Sequence, residues 1–143
     1  MSQEMTELTD GERAWLARSE AQLRAFAKSL GVTDDAWRPL DPPTLDRTWA
    51  AWLAVHVRSE EDPTPIVNAF GVALGQYLAD RFRLAWKVVQ DGDASEFAIY
   101  GQPGDLLLFP PKLVAWRYEA GETEFFVRIE EETEDRIAAA RLP

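Results

Sequence analysis

The segment from Thr64 to Gln90 constrains the fold more than any other part of the sequence, because its pattern changes from helix to strand. Its first part repeats apolar residues at helical spacing: Ile66, Phe70, Leu74, Tyr77 and Leu78. Thr64 and Pro65 predict the start of this helix, with the Thr64 hydroxyl as its cap and Pro65 at the first helical position. Residues 84–89 are β-branched and aromatic in character, which predicts a strand. The rest of the chain can be placed against this helix–strand unit.

Two glycines, Gly71 and Gly75, lie four residues apart on another face of the same helix. Because glycine has no side chain, the pair predicts a close approach of this helix to the sheet or to the preceding helix. Similar glycine pairs join membrane helices. Here Asn68 and Gln76 share the helix, so we interpret the pair as a packing feature of a water-soluble fold.

The N-terminal part of the chain predicts one long amphipathic helix over residues 10–30. Thr9 and Glu12 have the spacing of a capping box, and Gly31 is a typical stop. Residues 1–8 are polar and show no periodicity, so we expect them to be disordered.

Two further helices are predicted, one on either side of the strands. The first spans about residues 44–58, where one face carries five residues at helical spacing: Leu45, Trp49, Trp52, Leu53 and His56. The second spans residues 131–142, with acids early and arginines late, as the helix dipole prefers. Trp37 is expected to anchor the connector over residues 31–43 to the core.

The segment after the first strand predicts a meander. Asp91-Gly92 is a hairpin signal leading into a second strand at about 96–100. Residues 106–109 form a continuous apolar run suited to a central strand, and 112–117 a short helical turn. Alternating apolar residues predict another strand over 125–129.

These elements predict an α+β fold in one domain over residues 1–143. N-terminal helices would pack on one face of a mainly antiparallel sheet of about four strands, followed by a C-terminal helix.

Composition limits the classes of function. The chain of 143 residues is 46% hydrophobic and contains no cysteine, which excludes disulfide frameworks, thiolate catalysis and cysteine-based zinc sites. No leader or membrane-length apolar run is visible, so we expect a cytoplasmic protein.

The net charge of −10 also limits the partners. Between Glu119 and Asp135, eight acidic residues face only Arg128, a local net charge of −7. Such a surface repels phosphate backbones and anionic lipid, so we predict no nucleic-acid and no membrane partner. It would favour a basic protein partner, although a face that only maintains solubility has the same composition.

His56 is the only histidine, and therefore the only side chain that ordinarily titrates near neutrality. No cysteine and no G-x-S-x-G motif accompany it. Its position on an apolar helix face predicts a buried, structural residue.

Other polar groups do not form a recognisable site. Asp91, Asp93 and Ser95 resemble the first half of a calcium loop, but Glu96 and Gln102 stand where glycine and glutamate are needed. We therefore interpret these residues as a hairpin turn.

Clustered carboxylates occur at residues 60–62, with Asp80 as a further member, and again at residues 130–132. Nothing in their spacing makes them face one another, and no phosphate loop or dinucleotide fingerprint is present. We therefore predict no metal, no cofactor and no catalytic residue.

Five residues remain as candidate ligand or partner contacts: Arg117, Phe126, Glu130, Glu131 and Glu132. Arg117 stands between two aromatic residues, where it would form a structural stack, a salt bridge or a ligand contact. On a strand, Phe126 points away from Phe125. It would then either form the centre of an acidic partner surface or be covered by the C-terminal helix.

The middle of the chain carries a pattern of glycines, aromatic residues and prolines: Phe70-Gly71-x-x-x-Gly75-x-Tyr77-Leu78, Leu84-x-Trp86, Phe97-Ala98-Ile99 and Phe109-Pro110-x-x-x-Val114-x-x-Arg117. This pattern resembles a bacterial family of domains of unknown function, family 3806, over roughly residues 64–130. The resemblance implies a compact α+β domain of bacterial origin. It implies no activity, and no catalytic residue can be carried over from it.

Two hypotheses for function follow. The leading one is a non-enzymatic interaction module that binds a basic protein, or a second copy of itself, through an acidic or aromatic surface. An immunity-type protein that neutralises a basic toxin is one form of it. The alternative is a small-molecule-binding or hydrolytic enzyme with a pocket near His56, Tyr77 and Arg117.

Overall fold

The computed structural model describes residues 4–33 and 40–142. Over these residues it has five helices and a four-stranded sheet, which confirms the predicted α+β class. In chain order the elements are β1 (Glu4–Thr6), α1 (Asp10–Ser29), α2 (Pro42–His56), α3 (Thr64–Phe82), β2 (Ala85–Asp91), β3 (Ala94–Gly101), β4 (Leu106–Leu108), α4 (Pro110–Glu119) and α5 (Phe126–Ala140). The expected anchoring role of Trp37 falls outside the described residues.

The sheet is antiparallel, with the strand order β1-β2-β3-β4. In its long central hairpin Trp86 pairs with Ile99 and Val88 pairs with Phe97, and one face of the hairpin packs on Val72 of α3. Asp91 pairs with Ala94, so the turn residues are 92 and 93, one position later than predicted.

Two predictions about the sheet were wrong: the central position of the strand at 106–109, and the disorder of the whole N-terminal segment. Residues 106–109 were expected to form a central strand, but β4 is a three-residue strand at the edge of the sheet. Residues 1–8 were expected to be disordered, but residues 4–6 pair with β2 and Leu8 is buried beneath α1 and α3 with Leu16 and Val72. A three-residue strand has too few positions to show a periodicity, so neither the existence of β1 nor the edge position of β4 could be predicted from pattern alone.

Helix α1 follows its prediction closely. Thr9 accepts from the amide of Glu12, and the Glu12 carboxylate accepts from the amide of Thr9, which completes the capping box. Leu23 and Ala27 are fully buried on the inner face, and Gly31 ends the helix with φ +75°. The predicted bounds and caps are confirmed.

The start of α3 differs from its prediction. Thr64 is already the first helical residue, and Pro65 is the second. The Thr64 amide donates to the Asp62 carboxylate at 3.0 Å, and the N-cap residue Pro63 has no side-chain cap. Thr64 lies inside the helix rather than at the cap position, so its own amide needs an acceptor, and the Asp62 carboxylate two residues back supplies it.

Close packing of the two glycines is confirmed. A Cβ at residue 71 would lie 2.4 Å from the Cα of Pro111, and one at residue 75 would lie 2.4 Å from Cη2 of Trp86. The glycines therefore let α3 approach α4 and the sheet, rather than α2.

The core is centred on Trp49 of α2. Its ring makes edge contacts with three phenylalanine rings, at centroid distances of 4.9–5.8 Å: Phe70, Phe125 and Phe126. Its indole N–H donates to the backbone carbonyl of Glu122 at 3.2 Å. The edge-to-face arrangement is the one that the quadrupoles of aromatic rings favour, and the indole nitrogen of Trp49 has a hydrogen-bond partner.

The predicted strand over 125–129 was wrong, because these residues open helix α5. Both Phe125 and Phe126 are fully buried. The carboxylate of Asp46 accepts from the amides of Phe126 and Val127, at 3.0 and 3.2 Å, and so caps α5 from another helix. Two other predictions were too short: the turn over 112–117 is the ten-residue α4, and the C-terminal helix begins before residue 131.

In the described part of the chain, no helix is both long enough and apolar enough to cross a membrane.

Candidate functional site

Phe126, a predicted partner contact, is not available to a partner. Its ring is fully buried and stacks on Phe125 at 4.3 Å. The outward orientation was wrong because the local backbone is helical, and consecutive residues of a helix do not alternate between two faces.

Glu130 is held by its own chain. Arg81 of α3 donates to its carboxylate at 2.6 Å and also contacts Glu134 at 3.1 Å. Burial and, after it, a hydrogen bond to Glu130 together raise the pKa of the neighbouring Tyr77 hydroxyl to about 12. These residues join α3 to α5. The other two predicted acidic contacts, Glu131 and Glu132, lie exposed on α5.

Arg117 forms an ion pair with Glu122, whose carboxylate lies 3.4 Å from the Arg117 Nε atom. Glu122 also approaches Arg128 at 3.7 Å. Arg117 is therefore engaged with the turn that follows α4.

His56 is half-buried rather than buried. Its ring stacks on Trp52 at 4.7 Å, and its Nε2 atom lies 2.9 Å from the Tyr118 hydroxyl. It lines a groove of about 340 Å³ between α1, α2 and α3. Tyr77 lines a different groove, of about 310 Å³, and Arg117 lines neither of the two. The structure does not bring the three residues of the enzyme hypothesis together.

A larger groove, which we call the tryptophan groove, lies between α1, β3 and α4. It encloses about 490 Å³. Trp15 of α1 lines one side and is 36% exposed, while Trp116 of α4 lines another and is 54% exposed. Two large aromatic side chains at solvent around one concave surface are unusual, because such groups are ordinarily buried.

The wall under Trp15 is a stack of aromatic rings. The Trp15 ring stacks on Phe97 of β3 with centroids 5.3 Å apart and planes 5° apart. Phe97 in turn makes an edge contact with Trp86. A flat, supported indole face is therefore presented to the groove.

A lysine crosses the groove from the α4 side. The Lys112 ammonium lies 3.0 Å from the Glu96 carboxylate, and 5.6 and 5.7 Å from the ring centres of Phe109 and Trp116. This position shows that the groove can hold a cation between aromatic faces and a carboxylate.

The remaining wall is a strand edge. β4 pairs only with residues 99–101 of β3, so within the described residues Ala94–Ala98 has a strand neighbour on one side only, namely β2. Ser95, Glu96 and Phe97 of this open half line the tryptophan groove.

Part of the tryptophan groove lies in a segment that matches a known protein family. A sequence model of DUF3806, a domain of unknown function, matches residues 48–128, which is more than half of the chain. The chain belongs to the DUF3806 family. The DUF3806 segment runs from within α2 to the start of α5 and includes Phe97, Lys112 and Trp116 of the groove. Trp15 comes from the helix that precedes it.

A solved structure shares the fold of this DUF3806 protein. It is a crystal structure from Bacteroides thetaiotaomicron VPI-5482, with a TM-score of 0.74 and 12% sequence identity. The superposition covers 95% of this chain and 48% of the other, so this chain spans about half the length of that protein. No curated protein matches the chain.

The tryptophan groove was not predicted from the sequence. Trp116 was placed on a short turn, and Trp15 lies one residue before the buried Leu16, off the apolar stripe of α1. An aromatic residue at a solvent-facing helix position was the available signal. Among the described residues, no group of three or more histidine, cysteine or acidic side chains is placed so that it could hold a metal ion.

Proposed function

We propose that this protein is a non-enzymatic interaction module that binds a basic segment of another protein in the tryptophan groove. The observation that carries the proposal is the exposure of Trp15 and Trp116 around one concave surface.

Tryptophan is among the residues that most often dominate the binding energy of protein interfaces. Trp15 is already fixed by its stack on Phe97, so it loses little side-chain freedom when a partner covers it. Exposed apolar area of this kind is a cost to a free protein unless something binds there.

Charge supports a basic segment as the partner. Glu96 and Glu119 line the groove, and Lys112, the one cation among its described lining residues, is already paired with Glu96. The whole chain carries a net charge of −10. This field accelerates the approach of a basic segment and opposes an acidic one. A basic toxin neutralised by an immunity-type protein would be one such partner.

The alternative function, a small-molecule-binding or hydrolytic enzyme, has weaker support. Its three residues lie apart, and the Nε2 atom of His56 is occupied by the Tyr118 hydroxyl. What favours it is the groove beside His56, which also contains Gln22 and Ser59.

A random-peptide display library tests the proposal. Peptides that bind the wild-type protein should be rich in lysine and arginine. Trp15→Ala and Trp116→Ala should each weaken their binding by about tenfold or more. Val57→Ala removes another exposed apolar side chain, 78% exposed, and should leave binding unchanged.

Circular dichroism would first establish that both tryptophan variants are folded. Recovery of no binding peptide, or of peptides that bind the tryptophan variants as well as the wild type, would contradict the proposal.

A further inference from the structure

We infer that the partner segment binds as an added β-strand along the open half of β3, Ala94–Ala98, with apolar and cationic side chains in alternation. This inference rests on the proposed function and specifies the chemistry of its partner.

The open edge supplies the main-chain part of the site. On a strand, every second residue directs its N–H and C=O towards the same neighbour. β4 ends its pairing at Ile99, so the groups of residues 94–98 that point away from β2 have no strand neighbour in the described structure. A strand edge of this kind readily pairs with a further strand. Proteins that must avoid such pairing cover the edge with another element or place charged side chains on it.

The groove supplies the space beside that edge. An added strand lies about 4.8 Å from its neighbour. The tryptophan groove runs along Ser95, Glu96 and Phe97 and is bounded on its far side by Lys112 and Trp116 of α4. Its volume of about 490 Å³ is within the range that holds a small ligand, so it can accept anchoring side chains of an extended segment.

The two faces of β3 then determine the sequence of the partner. Phe97 and Glu96 are consecutive, so their side chains point to opposite faces of the sheet. A side chain paired on the Phe97 face meets Trp15 and should be apolar or aromatic. One paired on the Glu96 face meets a carboxylate and should be lysine or arginine.

Lys112 shows where that cation would be held. Its ammonium sits by Glu96 and over Phe109 and Trp116, in an exposed ion pair of the kind that contributes little to stability. A lysine or arginine of the partner can therefore take its place. A second copy of this chain fits less well, because two β3 edges side by side would oppose Glu96 and Glu119 of both copies.

The probes are two capped synthetic peptides, one alternating valine with lysine and one alternating valine with glutamate. The lysine peptide should bind at least about tenfold more tightly, a difference that tests the charge argument. Backbone amide exchange measured by NMR should slow for groove-facing amides within residues 94–98 on binding. N-methylation removes a backbone N–H donor from the peptide. Methylation of the alternate residues whose N–H groups face β3 should abolish binding, whereas methylation of the residues between them should not.

Matched variants test the role of the two charges. Glu96→Gln should weaken binding of the lysine peptide, whereas Glu61→Gln in an exposed loop should not. Lys112→Met keeps the apolar stem and removes the competing cation, so it should tighten binding. Lys28→Met on the exposed face of α1 is its control.

The outcomes separate the inference from the proposed function. Library peptides that bind in a tryptophan-dependent way without slowing amide exchange at residues 94–98 would overturn strand addition and leave the proposed function standing. A lysine peptide that fails to bind while library peptides do bind would also overturn it. Absence of any tryptophan-dependent binding would overturn both.

Discussion

Gly75 of α3 lies directly against the indole ring of Trp86 on β2. A Cβ at residue 75 would be 2.4 Å from Cη2 and 2.6 Å from Cζ2 of that ring, and 2.9 Å from Pro110. Trp86 cannot easily move away, because its N–H donates to the Gln76 side chain at 3.2 Å. The absence of a side chain at residue 75 therefore allows the helix to pack closely against the sheet.

Gly75→Ala should destabilise the protein, by roughly 1–3 kcal/mol, because the new methyl group overpacks the helix–sheet interface. Gly71→Ala should cost at least as much, since the obstructing atoms belong to the backbone of Pro111. Gly11→Ala is the control: its nearest neighbouring atom would be 3.9 Å away, so better helix propensity should leave stability unchanged or raise it by up to about 1 kcal/mol. Urea unfolding measures all three, and equal effects at residues 75 and 11 would contradict the packing argument.

Trp86→Ala should lower the free energy of unfolding by about 3 kcal/mol, as a large-to-small change in a half-buried aromatic residue. In that background Gly75→Ala should lose most of its cost, because the ring it would strike is gone. A double-mutant cycle measures this coupling, which should exceed about 0.5 kcal/mol for residues in contact. Additive effects would show that the ring is not the obstacle.

The Tyr77 hydroxyl predicts a pH dependence at the alkaline end. Its pKa is raised to about 12, first by burial and then by its hydrogen bond to Glu130, so the folded protein keeps this proton longer than the unfolded chain does. The stabilisation is fully present below about pH 10 and is lost as the pH rises towards about 12. Tyr77→Phe has no such proton, and its stability should fall less steeply over this interval.

The measurement is urea unfolding at several pH values between about 8 and 12. Glu130→Gln should also reduce the slope, because the carboxylate contributes to the raised pKa. A slope in Tyr77→Phe equal to that of the wild type would mean that Tyr77 titrates alike in both states.

Local signals in the sequence predict much of this fold. The capping box of Thr9 and Glu12, the glycine pair of α3 and the hairpin after β2 each depend on residues close together in the chain. All three are confirmed, the hairpin with a shift of one residue. The strand prediction over 125–129 failed because Phe125, Val127 and Ile129 alternate as apolar residues of a strand do, while the helical start is capped by Asp46, 80 residues before Phe126.

The groove was less predictable than the fold. Trp15 and Phe97 are far apart in the chain, and their stack depends on how α1 crosses β3. The open edge depends on the short length of β4, which no pattern in a three-residue strand reveals. The acidic segment was visible in sequence, but the engagement of Glu130 with Arg81 depends on the packing of α5 against α3.

Asp46 offers the sharpest test of the α5 assignment. Its two carboxylate oxygens accept from the amides of Phe126 and Val127, which would otherwise be unpaired donors at a helix start. Asp46→Ala should cost about 1–3 kcal/mol, because it removes two charge-assisted hydrogen bonds and leaves partly buried amides without acceptors. Asp46→Asn keeps one acceptor and should cost less.

Asp135→Ala is the control. It removes the same charge from the exposed surface of α5, and its stability should stay within about 0.5 kcal/mol of the wild type. Urea unfolding gives the three values, and amide exchange at residues 126 and 127 should quicken in Asp46→Ala before the rest of the protein opens. If Asp46→Ala were no more harmful than Asp135→Ala, the first turn of α5 would not depend on this contact.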